Sequence, residues 1–175
     1  MRIKSILLIA TAAVTVLGFA IPKGQPEGVY NHTVVNGTDI HKKIAEPYLG
    51  PITKRAPRIL SMEGQPAKVY CGRALNLNHE DTDAANADLD RQCGSGALIG
   101  GGYNFYAIRG GTAAFVCNFG YFYDHHRCYE DKRVKSSKVI TEFCGPYNSG
   151  WINYEYGWMS YGYDTTASDF CGTGI

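Results

Sequence analysis

Several things are scarce or missing in this chain of 175 residues. No charge of one sign prevails, with 17 Lys and Arg against 16 Asp and Glu. That near-neutral balance speaks against a general nucleic-acid binder, whose basic surface normally shows in the total. No Cys-x-x-Cys pair occurs, so zinc-ribbon and thioredoxin-like readings lose their spacing signature. No Gly-x-Ser-x-Gly is present, and the Gly100-Gly101-Gly102 run lacks the Gly-Lys-Ser/Thr ending of a phosphate loop and precedes a strand-like stretch. It reads as a connection. Long apolar runs are limited to one, Ile6 to Ala20, which is shorter than the roughly 20 residues of a membrane-spanning helix. A length near 150 is typical of one domain, which argues against a multidomain enzyme.

That apolar run follows Arg2 and Lys4, and Gly18 and Ala20 are small residues suited to positions −3 and −1 of a signal-peptidase site. The pattern predicts a secretory signal over residues 1–20, cut after Ala20, and a secreted, extracellular product. Residues 21–55 contain no Cys, four of the seven prolines, and the glycosylation acceptors Asn31-His32-Thr33 and Asn36-Gly37-Thr38. With no sustained apolar periodicity, this stretch reads as a largely disordered pro-segment. It ends in Lys54-Arg55, a dibasic pair similar to the sites cut by Golgi proprotein convertases, which makes a convertase an expected partner during secretion. Seven basic and three acidic residues fall in 1–55, leaving ten against thirteen in residues 56–175, a net of −3. The expected mature domain also keeps all six cysteines and 19 of the 22 aromatics. A phosphate-backbone ligand becomes less suitable still.

Cys71, Cys93, Cys117, Cys128, Cys144 and Cys171 are even in number, which in a secreted chain predicts three disulfides with fifteen possible connectivities. Spacing favours a local Cys117–Cys128 bridge and leaves the rest open. Ala67 to Cys71 alternates as a strand. Asp81 or Thr82 caps a helix running to Cys93, with Gly94 as its stop and Asp83, Asp88 and Asp90 on a solvated outer side. Tyr103–Ile108 and Thr112–Phe119 flank Arg109-Gly110-Gly111, a hairpin signal. A second helix spans Tyr129 to Cys144 with Val134, Ile140, Phe143 and Cys144 as its apolar stripe, and Gly145-Pro146 ends it. Aromatic runs at Trp151–Tyr156 and Trp158–Tyr163 supply one or two final strands. The order predicts an α+β, two-layer sandwich of βαββαβ (ferredoxin-like) plan, an antiparallel sheet carrying two helices.

With these features together, the chain resembles the small secreted cysteine-rich proteins of filamentous fungi, many of them treated as candidate effectors. The resemblance rests on the signal peptide, the segment ending in Lys54-Arg55, the six-Cys domain, and the runs Phe115-Val116-Cys117-Asn118 and Phe143 to Trp151. The layout is also similar to the α/β-sandwich killer toxins of smut fungi. The resemblance implies a virulence-type or toxin-like protein, not an enzyme and without cofactor, acting outside the cell or on host cells; no toxin residue is carried across.

Candidate chemistry is sparse. Asp124-His125-His126-Arg127 offers two adjacent imidazoles but no ligand at i+3 or i+4, so it reads as a loop and not a metal site. His79 and Glu80 with Arg73, or Glu130, are the residues that a ribonuclease-like hydrolase, the alternative function, would use. A killer toxin acting on membrane channels of competitor cells is a further alternative, without stable membrane insertion of its own. The favoured reading is recognition of a host or competitor protein or glycan. Tyr147, Trp151, Tyr154, Tyr156, Trp158, Tyr161 and Tyr163 form the candidate surface, because Tyr and Trp bury large area while keeping a polar handle.

Overall fold

The computed structural model describes residues 18–50, 67–120, 125–154 and 158–172. Lys54, Arg55, Asp124 and Tyr156 lie outside them. The elements are β1 (Phe19–Ala20), β2 (Gly28–Val35), β3 (Thr38–Ala45), β4 (Ala67–Cys71), α1 (His79–Cys93), β5 (Ala97–Ile99), β6 (Tyr103–Arg109), β7 (Thr112–Asn118), β8 (His126–Cys128), α2 (Glu130–Cys144), β9 (Gly150–Tyr154), β10 (Met159–Thr165) and β11 (Asp169–Phe170). The class is α+β, a seven-stranded sheet in the order β3-β2-β6-β7-β10-β9-β4 with both helices on one face. Every pairing in it is antiparallel.

Local signals account for most boundaries. The Asn78 side chain accepts from the Asp81 N–H at 3.0 Å, so the helix begins at His79, before the expected caps Asp81 and Thr82. Gly94, at φ 47°, ends it with its N–H on the Asp90 carbonyl. Gly110 and Gly111 form the two-residue turn joining β6 to β7, with Arg109 opposite Thr112.

Three expectations about packing are corrected. In α1, Asp88 does not face water: its carboxylate is buried and pairs with Arg109 Nε at 2.6 Å and with Arg91. Asp90 pairs with the fully buried Arg133 of α2 at 2.7 Å, and burial still pushes its carboxyl up. In α2 the inward face is Arg133, Ser136 and Ile140, while Phe143 is 75% exposed, because polar partners on α1 and β9 rotate the helix away from its apolar stripe.

The ferredoxin-like plan is not what the sheet shows. The two aromatic runs form separate strands, β9 and β10, of a C-terminal hairpin, and β10 lies between β7 and β9. The first strand of the expected plan, β4, is thereby left at the edge beside β9.

For residues 21–50, the described part of the expected pro-segment 21–55, the reading as largely disordered is also corrected. Residues 28–45 are the hairpin β2–β3, and β2 pairs with β6 from Gly28↔Ile108 to Thr33↔Tyr103. Asn36 and Gly37 form its turn, at φ 51° and 77°, the left-handed geometry that Asn-Gly accepts most readily. Val29 packs on the helix side of the sheet; Tyr30 packs on the other. Asn36 is exposed, whereas Asn31 is half-buried with a buried Oδ1. Ala20 lies in β1, paired with Asp169, and its neighbour Phe19 is only 1% exposed.

The disulfides are Cys71–Cys144, Cys93–Cys128 and Cys117–Cys171, so the expected Cys117–Cys128 bridge does not form. Cys117 joins the face of the sheet opposite the helices, while Cys93 and Cys128 sit in the helix-side core; the sheet separates them. Three disulfides are typical of an oxidising, extracellular setting. No helix among the described residues is long and apolar enough to cross a membrane.

Candidate ligand-binding pocket

Strand alternation decides what each aromatic residue of the C-terminal region can do. Tyr154, Tyr161 and Tyr163 point beneath the helices and are 6%, 0% and 3% exposed. The Tyr154 hydroxyl meets Ser136 Oγ at 3.0 Å, and that of Tyr163 meets Thr141 Oγ1 at 3.3 Å. The Lys132 ammonium sits 4.3 Å from the Tyr154 ring centre. These three tyrosines are core residues, and their place in the expected recognition surface is corrected. Tyr147 lies in the turn after α2, stacked on His79 with ring centres 3.6 Å apart. Trp158 is 55% exposed at the β9–β10 turn, with φ 51°. Among the described residues of the expected surface, Tyr154 borders a shallow hollow beside α2, and Trp151 lines a more enclosed site.

That site occupies the face opposite the helices. The neighbours of the core tyrosines in β10 are Ser160, Gly162 and Asp164, and these point to the other side. Gly162 lies opposite both Phe115 of β7 and Trp151 of β9. A Cβ there would stand 2.6 Å from Phe115 Cζ and 2.6 Å from Trp151 Cβ, so only glycine lets the two aromatic side chains close over β10. Tyr70 stacks on Trp151 with ring centres 5.6 Å apart and orients the indole. The Cys117–Cys171 disulfide draws the chain after β10 back across this face. Phe170 is thereby set edge-on to Phe115 at 5.1 Å.

The result is a cavity of about 220 Å³ walled by Phe115, Phe119, Trp151 and Phe170, with Ser160, Asp164 and Asp169 as its polar groups. Ser160 is 1% exposed. Its hydroxyl and the Trp151 indole N–H are both buried and have no hydrogen-bond partner among the described residues. A buried donor left unpaired costs about 1–3 kcal/mol. Trp151 and Ser160 both line the cavity, with these two donor atoms covered from solvent. Asp164, which also lines the cavity, accepts from the Thr165 N–H through Oδ1 at 2.7 Å. The residues that line the pocket thus carry donors, carboxylates and apolar ring faces together.

Glu130 does not join the other candidate groups, His79 and Glu80. His79 and Glu80 open α1, whereas the Glu130 N–H donates to Gly94 at the far end of that helix. Fifteen residues of helix at 1.5 Å each separate them by about 20 Å. His126 lies in β8 opposite Ile99, and Arg127 Nη1 donates to the Gly96 carbonyl at 2.6 Å. No group of three or more potential metal ligands occurs among the described residues. Ser160, Asp164 and Asp169 were missed from the sequence, although alternation of small or polar residues with tyrosines along 159–164 marks a second face. Comparison with protein-family models, curated proteins and solved structures found no match to this chain.

Proposed function

We propose that the protein is a secreted recognition protein of effector or toxin type, without catalytic chemistry, that captures a glycan in the pocket between Trp151 and Phe170. The observation that carries this reading is the pair of buried, unpaired donors, Trp151 Nε1 and Ser160 Oγ, in a cavity that Asp164 and Asp169 also line. A sugar hydroxyl both donates and accepts, so it complements the two donors and the two carboxylates at once, while its C–H face packs on Trp or Phe. Ligand pockets for drug-sized molecules occupy about 300–1,000 Å³. A cavity near 220 Å³ suits one small ring and not a peptide side. Three disulfides support activity in a harsh extracellular setting. For the ribonuclease alternative, Glu130 stands at the far end of α1 from His79, which leaves Arg73, His79 and Glu80 as its candidate groups.

Titration of the purified secreted protein with a panel of mono- and disaccharides, followed by tryptophan fluorescence and calorimetry, tests the proposal. Binding of at least one sugar, lost in Trp151→Ala and weakened about tenfold or more in Ser160→Ala, is the expected result; loss of one hydrogen bond near 1.4 kcal/mol is a factor of ten. Binding that persists unchanged in both variants would sink the pocket. Ribonuclease activity that disappears in His79→Ala would sink the non-catalytic reading. A response of plant tissue or competing fungi to the wild type and not to Trp151→Ala would join the pocket to the biological role.

A further inference from the structure

The hairpin β2–β3 lies on the far side of the expected dibasic site from every cysteine. The three disulfides join residues 71 to 144, 93 to 128 and 117 to 171, so they close the body of the domain on itself and leave residues 21–50 without a covalent link to it other than the main chain. This segment is nevertheless a built part of the fold. It supplies two of the seven strands and six successive residue pairs along β6. Val29, Tyr30 and His32 are 2%, 4% and 3% exposed. Tyr30 stacks on Tyr106 of β6 with ring centres 5.1 Å apart.

Polar contacts spread along the whole segment. Gln25 Nε2 donates to the Tyr106 hydroxyl at 2.6 Å, and His41 Nδ1 meets the same hydroxyl at 2.8 Å. Glu27 accepts from the Gly110 N–H at 2.9 Å. Tyr48 is gripped at both main-chain groups: its N–H donates to Asp88 Oδ1 at 3.1 Å, and its carbonyl accepts from Arg109 Nη2 at 2.6 Å. Asp88 and Arg109 are themselves buried and ion-paired, so that anchor belongs to the body's own core.

We propose that residues 21–50 are a strand donor held by contacts alone, so that cleavage after Arg55 yields a two-chain protein in which the hairpin stays docked on β6. The surface it occupies is the β6 edge together with Tyr106 and Ile108; the partner that fits is this chain's own amphipathic hairpin. Without it β6 becomes an open sheet edge, which pairs readily with another strand. The cut also converts an intramolecular contact into a concentration-dependent one.

The test uses the full secreted chain cut by a dibasic convertase, and in parallel a chain carrying a site-specific protease sequence between residues 50 and 67, so that the cut does not depend on the native enzyme. The expected result is two bands on a denaturing gel without reductant, one peak at the volume of the uncut chain in size exclusion at micromolar concentration, and unchanged protection of the β6 amides from hydrogen exchange. Tyr30→Ala in the same cut chain should release the hairpin. Elution of the body alone, or as a pair of bodies joined through β6, would overturn the proposal, as would precipitation of the body with the hairpin left in solution.

Discussion

Replacing Tyr30 with alanine decides whether residues 28–45 belong to the folded domain. Tyr30 is 4% exposed, lies against Tyr106, and donates its hydroxyl to the Pro26 carbonyl at 2.7 Å. Truncating a buried aromatic side chain to alanine costs about 3–5 kcal/mol, the lost transfer energy plus the cavity left behind. Urea unfolding of small domains has slopes of about 1–3 kcal/mol per M, so the midpoint should fall by roughly 1.5–2.5 M at a mid-range slope. The assay is urea unfolding of the uncleaved protein followed by circular dichroism, with Val35→Ala as the control. Val35 is 51% exposed beside the hairpin turn, and substitutions at such sites stay within about 0.5 kcal/mol. A Tyr30→Ala midpoint within error of the control would refute the placement of the hairpin and restore a disordered pro-segment.

Acid should loosen the same hairpin. His32 faces Asp39, Asn104 and Phe19, and His41 faces His32 and Tyr106; burial holds both imidazoles below their ordinary value, with Asp39 only partly opposing it. Neutral imidazoles are therefore favoured in the folded state, and their contribution is complete above about pH 6.5 and lost as the pH falls through the lowered folded values. Thermal unfolding between pH 7.5 and 5 should show a falling midpoint that flattens in a His32→Asn, His41→Asn double variant; an equal slope in both would contradict the account. Mass mapping under non-reducing conditions should recover Cys71–Cys144, Cys93–Cys128 and Cys117–Cys171. Removing Cys71–Cys144, whose loop spans 73 residues, should cost about 4 kcal/mol on chain-entropy grounds, and a cost below about 1 kcal/mol would show that its loop is already constrained. Asn36, exposed in its turn, should carry the hairpin's glycan, and Asn36→Gln should remove the whole glycosidase-sensitive mass; a shift that survives it would assign the glycan to Asn31.

What the sequence alone determined is what short-range physics governs. Gly110-Gly111 between two β-rich runs made a hairpin, and Gly94 and Gly145 stopped the two helices. The same kind of signal was present and unread at Asn36-Gly37, a turn pair between two β-rich runs, where prolines and the lack of cysteine gave the opposite impression. Sidedness needed the tertiary structure. Alternation along 159–164 shows that Tyr161 and Tyr163 share one face and Ser160 and Asp164 the other, but only the sheet, with helices packed on one side, decides which face is core and which holds the pocket. Cysteine pairing depends on the same choice, since Cys117 and Cys128 are near in sequence yet separated by the sheet. The place of β10 between β7 and β9 is likewise a matter of long-range pairing, which no turn or cap residue encodes. Turns and caps are settled by a few neighbouring dihedrals; the pocket, the disulfides and the docked hairpin are settled by which distant surfaces bury one another.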